Sequence, residues 1–320
     1  SARCASAICP AEAFALQRLG PKRVGGDVSI AVSGIFSRPV LNIAHRGARS
    51  LAPENTLAAA RKALECGAHM WGLDVGVTRD GELVVVHDET LERTTNVQEV
   101  YPSRSPWRTE DFTLEELRCL DFGAWFTRED PFREFSLGRV SPPEGEEYLG
   151  EPVLTLQDAL RFTAEHGWLV NVEIKDLKGS PREKDLVERV VALVELLDLT
   201  GQAIISSFNL QYLERVRAAN PGMPVGVLTD YHHPRPVELL RSLSAQAYHP
   251  RLNAIVPGEI SALREEGFHV MVWVVNDEKD MLDLIAAGAS GIFTDYPQRM
   301  ARVLDEANLS AGLKPAQIGR

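Results

Sequence analysis

From Leu41 onward, short apolar runs recur along the chain, each followed by a turn and then an amphipathic stretch. The apolar runs are Leu41–Ala44, Met70–Val75, Trp168–Ile174, Ala203–Ser207, Pro224–Leu228, Ala245–Tyr248, Val270–Val275 and Gly291–Thr294. Between and after them lie helical patterns at Thr56–Cys66, Leu156–His166, Glu183–Leu197, Leu210–Ala219, Val237–Leu243, Glu259–Glu266, Lys279–Ala286 and Arg299–Glu306. Short apolar strands alternating with helices predict a parallel sheet joined by helical crossovers. Eight such units match a closed α/β barrel, the TIM (β/α)8 architecture, which typically takes ~250 residues. An open doubly wound sheet is the runner-up, but no GxGxxG follows any of the strands.

Two stretches stand outside the rhythm. Residues 1–38 carry no sustained period and read as an N-terminal extension to a barrel domain at 39–320. Residues 97–152 mix Tyr, Trp, Phe, Pro and charged side chains, with one short helical signal at Thr113–Leu120. That length is too great for a plain loop in a compact domain, so it reads as an insertion after the second barrel unit. Beginning just past His87, it is expected over the C-terminal rim, where barrel enzymes build their sites, as a substrate-shaping cap.

Composition narrows the function. The 44% hydrophobic and 25% charged fractions suit a soluble globular enzyme. No apolar run approaches the ~20 residues needed to cross a bilayer. A net charge of -11 argues against nucleic acid as a partner, since such binding rests on clustered Lys and Arg. An anionic small molecule would instead need a local positive centre to offset this field. The cysteines, Cys4, Cys9, Cys66 and Cys119, have no zinc spacing and read as reduced thiols. The chain opens on Ser1 without a readable signal peptide, which makes the cytoplasm the expected compartment. The oligomeric state is not encoded in any pattern found.

Chemistry is expected at the strand C-termini. There lie His45 and Arg46 after the first strand, Asp74 on the second, His87 and Asp88 after the Leu83–Val86 run, and Glu173 and Lys175 at the end of the third. Phosphodiester hydrolysis requires neutralised phosphate oxygens, a base for the attacking hydroxyl and an acid for the leaving alcohol. Two histidines titrating near neutrality suit the base and acid roles. Carboxylates suit a hard cation such as Mg2+ or Ca2+, and Arg46 and Lys175 supply the positive centre.

In order and spacing, His45-Arg46-Gly47, Pro53-Glu54-Asn55-Thr56, Asp74-Val75, Thr78-Arg79-Asp80-Gly81, His87-Asp88 and Leu91-Glu92-Arg93-Thr94-Thr95 resemble the signature of the glycerophosphodiester phosphodiesterase family. Further matches follow at Val172-Glu173-Ile174-Lys175, Ser206-Ser207-Phe208, Trp273-Val274-Val275-Asn276 and Thr294-Asp295-Tyr296-Pro297, and the resemblance runs from about Val40 to Leu304. It implies a TIM barrel with His45 and His87 as the acid/base pair. It implies a divalent metal, Mg2+ or Ca2+, on Asp74 and Glu173, and Arg46 and Lys175 on phosphate. Glu54 would hold Arg46 in place, and Phe208 and Trp273 would pack the glycerol end. The implied reaction is hydrolysis of a glycerophosphodiester to an alcohol and glycerol 3-phosphate.

One position departs from that family's pattern, which has Glu-x-Asp at the end of the second strand. Here Gly72 stands where the glutamate belongs. Positions 72 and 74 share a face of the strand, so a glutamate would have reached the same ion. Three readings stay open: an impaired enzyme, a gap filled by water or by another carboxylate such as Glu54, or a non-catalytic barrel that binds phosphorylated ligands. Phospholipase D-like action on lysophospholipids is a further alternative, with Trp107, Phe112, Trp125, Phe126, Phe132 and Phe135 sheltering an acyl chain or forming the insertion's own core. His69, His232, His233 and His269 have no ligand spacing, while His249 and Arg251 could face substrate. Nothing in the sequence accounts for Gly76.

Overall fold

The structure is a computed structural model and describes residues 35–310. Eight parallel strands close on themselves: β1 (Leu41–His45), β2 (Met70–Val77), β4 (Leu169–Ile174), β5 (Ala203–Ser207), β6 (Val225–Thr229), β7 (Ala247–Pro250), β8 (His269–Val272) and β9 (Gly291–Thr294). Each pairs with its neighbour, and β1 pairs with both β2 and β9. The short β3 (Leu83–Val85) folds back antiparallel on the far end of β2. All eight expected strands are present, and the barrel, not the open sheet, is the architecture.

Alternation along each strand divides the core into two layers. Inward side chains such as Leu41, Ile43, Met70, Ile204, Met271 and Phe293 fill the barrel. Outward ones such as Ala44, Trp71, Leu73, Val170 and Val172 pack under the helices. Those helices are α1 (Leu57–Glu65), α6 (Leu156–Glu165), α7 (Leu186–Leu196), α8 (Leu210–Ala219), α9 (Pro236–Ser242), α10 (Pro257–Glu265), α11 (Glu278–Ala286) and α12 (Pro297–Ser310). Thr56 and Thr155 cap α1 and α6 by accepting from the backbone N–H of Ala59 and Asp158, groups with no partner inside the helix.

Residues 1–34, with Cys4 and Cys9, lie outside the described residues. Ile35, in the stretch read as an extension, is fully buried among the inward side chains of the barrel. Phe36 stacks on His269 at 3.7 Å. Between β3 and α6 the chain forms four short α-helices, α2 (Val97–Val100), α3 (Leu114–Leu117), α4 (Ala124–Glu129) and α5 (Pro142–Glu147), and one turn of 3-10 helix at Thr109–Asp111. Its aromatic residues pack into two clusters. Phe112 and Phe122 join Val84 and Val86 of the hairpin. Trp125, Phe126 and Tyr148 join Ala52 and Ala59 beside α1. These rings are buried against each other and are not an open apolar wall.

Gly76 acquires a reason here. It faces Val84 in the β2–β3 ladder, and a Cβ would come within 2.7 Å of Val86 Cγ2. Glycine lets the hairpin close tightly. With it closed, Val86 N–H donates to the Asp74 carbonyl at 2.9 Å, which brings His87 back along β2 to the level of Asp74.

Candidate active site

A cavity of about 330 Å3 opens at the C-terminal ends of the strands. His45, Arg46, Asp74, His87, Glu173, Lys175, Phe208 and Trp273 all line it, together with Arg49, Gly72 and Asn171. Of the residues singled out from sequence, Glu54 does not reach it. His249 and Arg251 do not line it either. His249 is fully buried inside the barrel, where burial drives its pKa down to about 3, and its ring lies over Gly226, which has no Cβ to obstruct it.

The first loop is fixed by its backbone. Arg46, Gly47 and Asn55 have positive φ angles of 59°, 82° and 59°. At Gly47 a Cβ would strike Ala59 at 2.6 Å, so the close approach of this loop to α1 demands glycine. Glu54 sits behind the loop, 5% exposed, and binds three arginines: Arg46 at 2.8 Å, Arg49 at 2.9 Å and Arg93 at 2.7 Å. Burial opposes its ionisation, but these guanidinium groups outweigh burial and hold its pKa down to about 2. Committed to three cations, Glu54 is not the carboxylate that replaces a side chain at position 72.

Each cavity histidine has its own carboxylate. His45 Nδ1 lies 2.7 Å from Asp295 Oδ1, and His87 Nδ1 lies 2.6 Å from Asp88 Oδ1. Asp295 is held down to about 2; burial opposes this, and the bond to His45 and the charge of Arg49 outweigh it. An ionised carboxylate only accepts, so each Nδ1 donates and Nε2 is left as the ring atom that can take or give a proton. Burial, then Arg46, pushes the pKa of His45 below its ordinary value despite Asp295. Asp295 belongs to a stretch quoted for the family resemblance, yet its role was missed. Its place at the end of the last strand was the available signal. Arg49, which stacks over Phe132 at 5.2 Å and lies 3.5 Å from Asp295, had no signal beyond its charge.

Across β2 and β4, Asp74 faces Glu173, and Gly72 faces Asn171. Lys175 Nζ joins the two carboxylates at 2.8 Å to Asp74 and 2.5 Å to Glu173. Asp74 also accepts from Asn55 Nδ2 at 2.9 Å and meets Arg46 Nε at 3.3 Å. Although burial opposes it, Lys175 and Arg46 hold Asp74 far below the usual carboxylate range. Burial and the Asp74 charge push Glu173 the other way. The pair therefore holds a cation between its like charges, here an ammonium. Among the described residues no group of three or more His, Cys, Asp and Glu side chains could hold a metal. Asp74, Glu173 and the Asn171 amide oxygen, which is buried and without a hydrogen-bond partner, belong to one cavity lining and are hard oxygen donors of the kind that divalent cations take. On the opposite wall Phe208 and Trp273 meet edge to face at 5.7 Å.

A profile of the glycerophosphoryl diester phosphodiesterase family matches residues 45–299. The chain belongs to this family. A glycerophosphodiester phosphodiesterase of Caldanaerobacter subterraneus subsp. tengcongensis is 33% identical over 82% of this chain and 97% of its own length. One of Bacillus altitudinis is 32% identical over 82% and 97%. Among solved structures, an Oleispira antarctica phosphodiesterase bound to the product sn-glycerol-3-phosphate superposes with a TM-score of 0.67. It is 28% identical, covering 82% of this chain and 96% of that one. Among the described residues no helix is long and apolar enough to cross a membrane.

Proposed function

We propose that this chain hydrolyses glycerophosphodiesters to an alcohol and glycerol 3-phosphate, with His45 and His87 as the acid/base pair. One observation carries the reading: two imidazoles, each bound at Nδ1 by a carboxylate, line one cavity with Arg46, Lys175, Asp74 and Glu173. The product seen in the Oleispira phosphodiesterase supports glycerol 3-phosphate as the released half.

The phosphate lies between Arg46 and Lys175, whose charges offset the negative field of the protein. His45, kept neutral by burial and by Arg46, takes at Nε2 a proton from the attacking water, whose oxygen bonds to phosphorus. The bond from phosphorus to the alcohol oxygen breaks, and His87, which enters the step as an imidazolium paired with Asp88, gives its Nε2 proton to the departing oxygen. Asp295 and Asp88 orient the rings; Asp295 stabilises the imidazolium as it forms on His45, and Asp88 pairs with the one that His87 brings to the step. Phe208 and Trp273 shelter the glycerol carbons, and Glu54 keeps Arg46 in register. Asp74 and Glu173 would hold a divalent cation, Mg2+ or Ca2+, which when bound neutralises charge on the phosphate oxygens. The 97–152 segment shapes the rim beside Arg49 and Arg93, which lie over the rings of Phe132 and Trp125. The packing of its aromatic rings into cores favours small headgroup diesters over lysophospholipids.

The test is phosphorus NMR of glycerophosphocholine and glycerophosphoethanolamine incubated with the protein and Mg2+ or Ca2+. The resonance of glycerol 3-phosphate is expected to grow with time. Phosphocholine instead, or no product with either ion, contradicts the reading.

A further inference from the structure

The cavity floor holds a polar atom that the mechanism above leaves without a partner. Asn171 is 3% exposed and lines the cavity on β4, directly across from Gly72. Its amide nitrogen donates to Ser206 Oγ at 3.0 Å, which fixes the orientation of the group. Its amide oxygen is buried and accepts nothing. A buried acceptor left unpaired costs about 1–3 kcal/mol, so this atom calls for a donor or a cation.

Its neighbours favour the cation. Positions 72, 74, 171 and 173 form two cross-strand pairs, and the period of two turns all four toward the barrel interior. The upper pair, Asp74 and Glu173, already holds a positive group between its carboxylates. In the lower pair, glycine offers no ligand and asparagine offers an amide oxygen, a common donor to hard cations. A Cβ at position 72 would lie 3.4 Å from the Phe293 ring, in ordinary contact, so the absent side chain is not excluded by space.

We propose that Asn171 Oδ1 is the third protein ligand of the divalent cation, in place of the side chain that Gly72 lacks. The inference rests on the metal reading under Proposed function. It gives the ion two carboxylates and one neutral oxygen, and hence a weaker site than three carboxylates provide.

Isothermal titration of the full chain with MgCl2 and CaCl2 tests this without reference to turnover. The wild type is expected to bind one ion. Asn171→Ala should weaken it by roughly tenfold to a hundredfold, and the near-isosteric Asn171→Asp should tighten it, each variant retaining the wild-type thermal midpoint. Gly72→Glu should also tighten binding and make the ion far less sensitive to Asn171→Ala in the double variant. Wild-type affinity in Asn171→Ala, or no tightening in a folded Asn171→Asp, overturns the assignment of Asn171 and leaves Asp74 and Glu173 as the site. A wild type that takes up no ion overturns the metal reading and this inference together.

Discussion

At the scale of single residues, the site works through paired groups whose partners set their charge. His45 is the clearest case. Its pKa lies below the ordinary 6.5 because burial and Arg46 outweigh the pull of Asp295. A base acts when neutral, so the acid limb of kcat/KM should fall as pH drops through that lowered value. A pH–rate profile checks this, and an acid limb centred above 6.5 contradicts it. Asp295→Asn removes the charge that favours the imidazolium, so the acid limb should move lower still. The neutral amide can also donate to Nδ1 and select the wrong tautomer, so kcat should fall on the order of a hundredfold or more. An unchanged kcat in that variant shows that Asp295 does not position the ring.

At the scale of elements, the first loop and the 97–152 segment are held by different forces. The loop depends on Glu54, whose carboxylate gathers Arg46, Arg49 and Arg93. Glu54→Gln leaves three guanidinium groups without their shared anion, and a loss of roughly 3 kcal/mol of stability is expected by chemical denaturation. Because the pKa of Glu54 is held near 2, its contribution is fully present above the ordinary carboxylate range. It is lost as pH falls toward 2, so the stability gap between wild type and variant should narrow in acid. The segment depends on aromatic packing, with Phe126 meeting Trp125, Phe135 and Tyr148 at 5.8, 5.6 and 5.9 Å. Phe126→Ala should cost about 3–5 kcal/mol, read in the same denaturation experiment. A loss under 1 kcal/mol would mean that this cluster does not hold the segment.

The elements also mark what a sequence can and cannot reveal. Strands such as Met70–Val75 were legible because apolar runs and helical periods repeat at a barrel's spacing. The helices between β3 and α6 were largely not, because four to six residues are too few to establish a period. The residues proposed to carry the chemistry stood out as types at strand ends. Those that act through another residue did not. Asp295 meets His45 across 250 positions of chain. The role proposed for Asn171 depends on the absence of a side chain on the neighbouring strand.

At the scale of the whole molecule, barrel closure accounts for the convergence. His45 ends β1, Asp74 and His87 come from the β2–β3 hairpin, Glu173 and Lys175 from the end of β4, and Asp295 from just past β9. Only because β1 pairs with both β2 and β9 do these meet over one cavity. The central claim is that two imidazoles serve one phosphorus atom there. Its most direct test is the rate of glycerol 3-phosphate release from glycerophosphocholine by wild type, His45→Ala and His87→Ala, each with an unchanged thermal midpoint. Each substitution alone should cost about 10²–10⁴ in kcat; release at the wild-type rate by either variant would contradict the account.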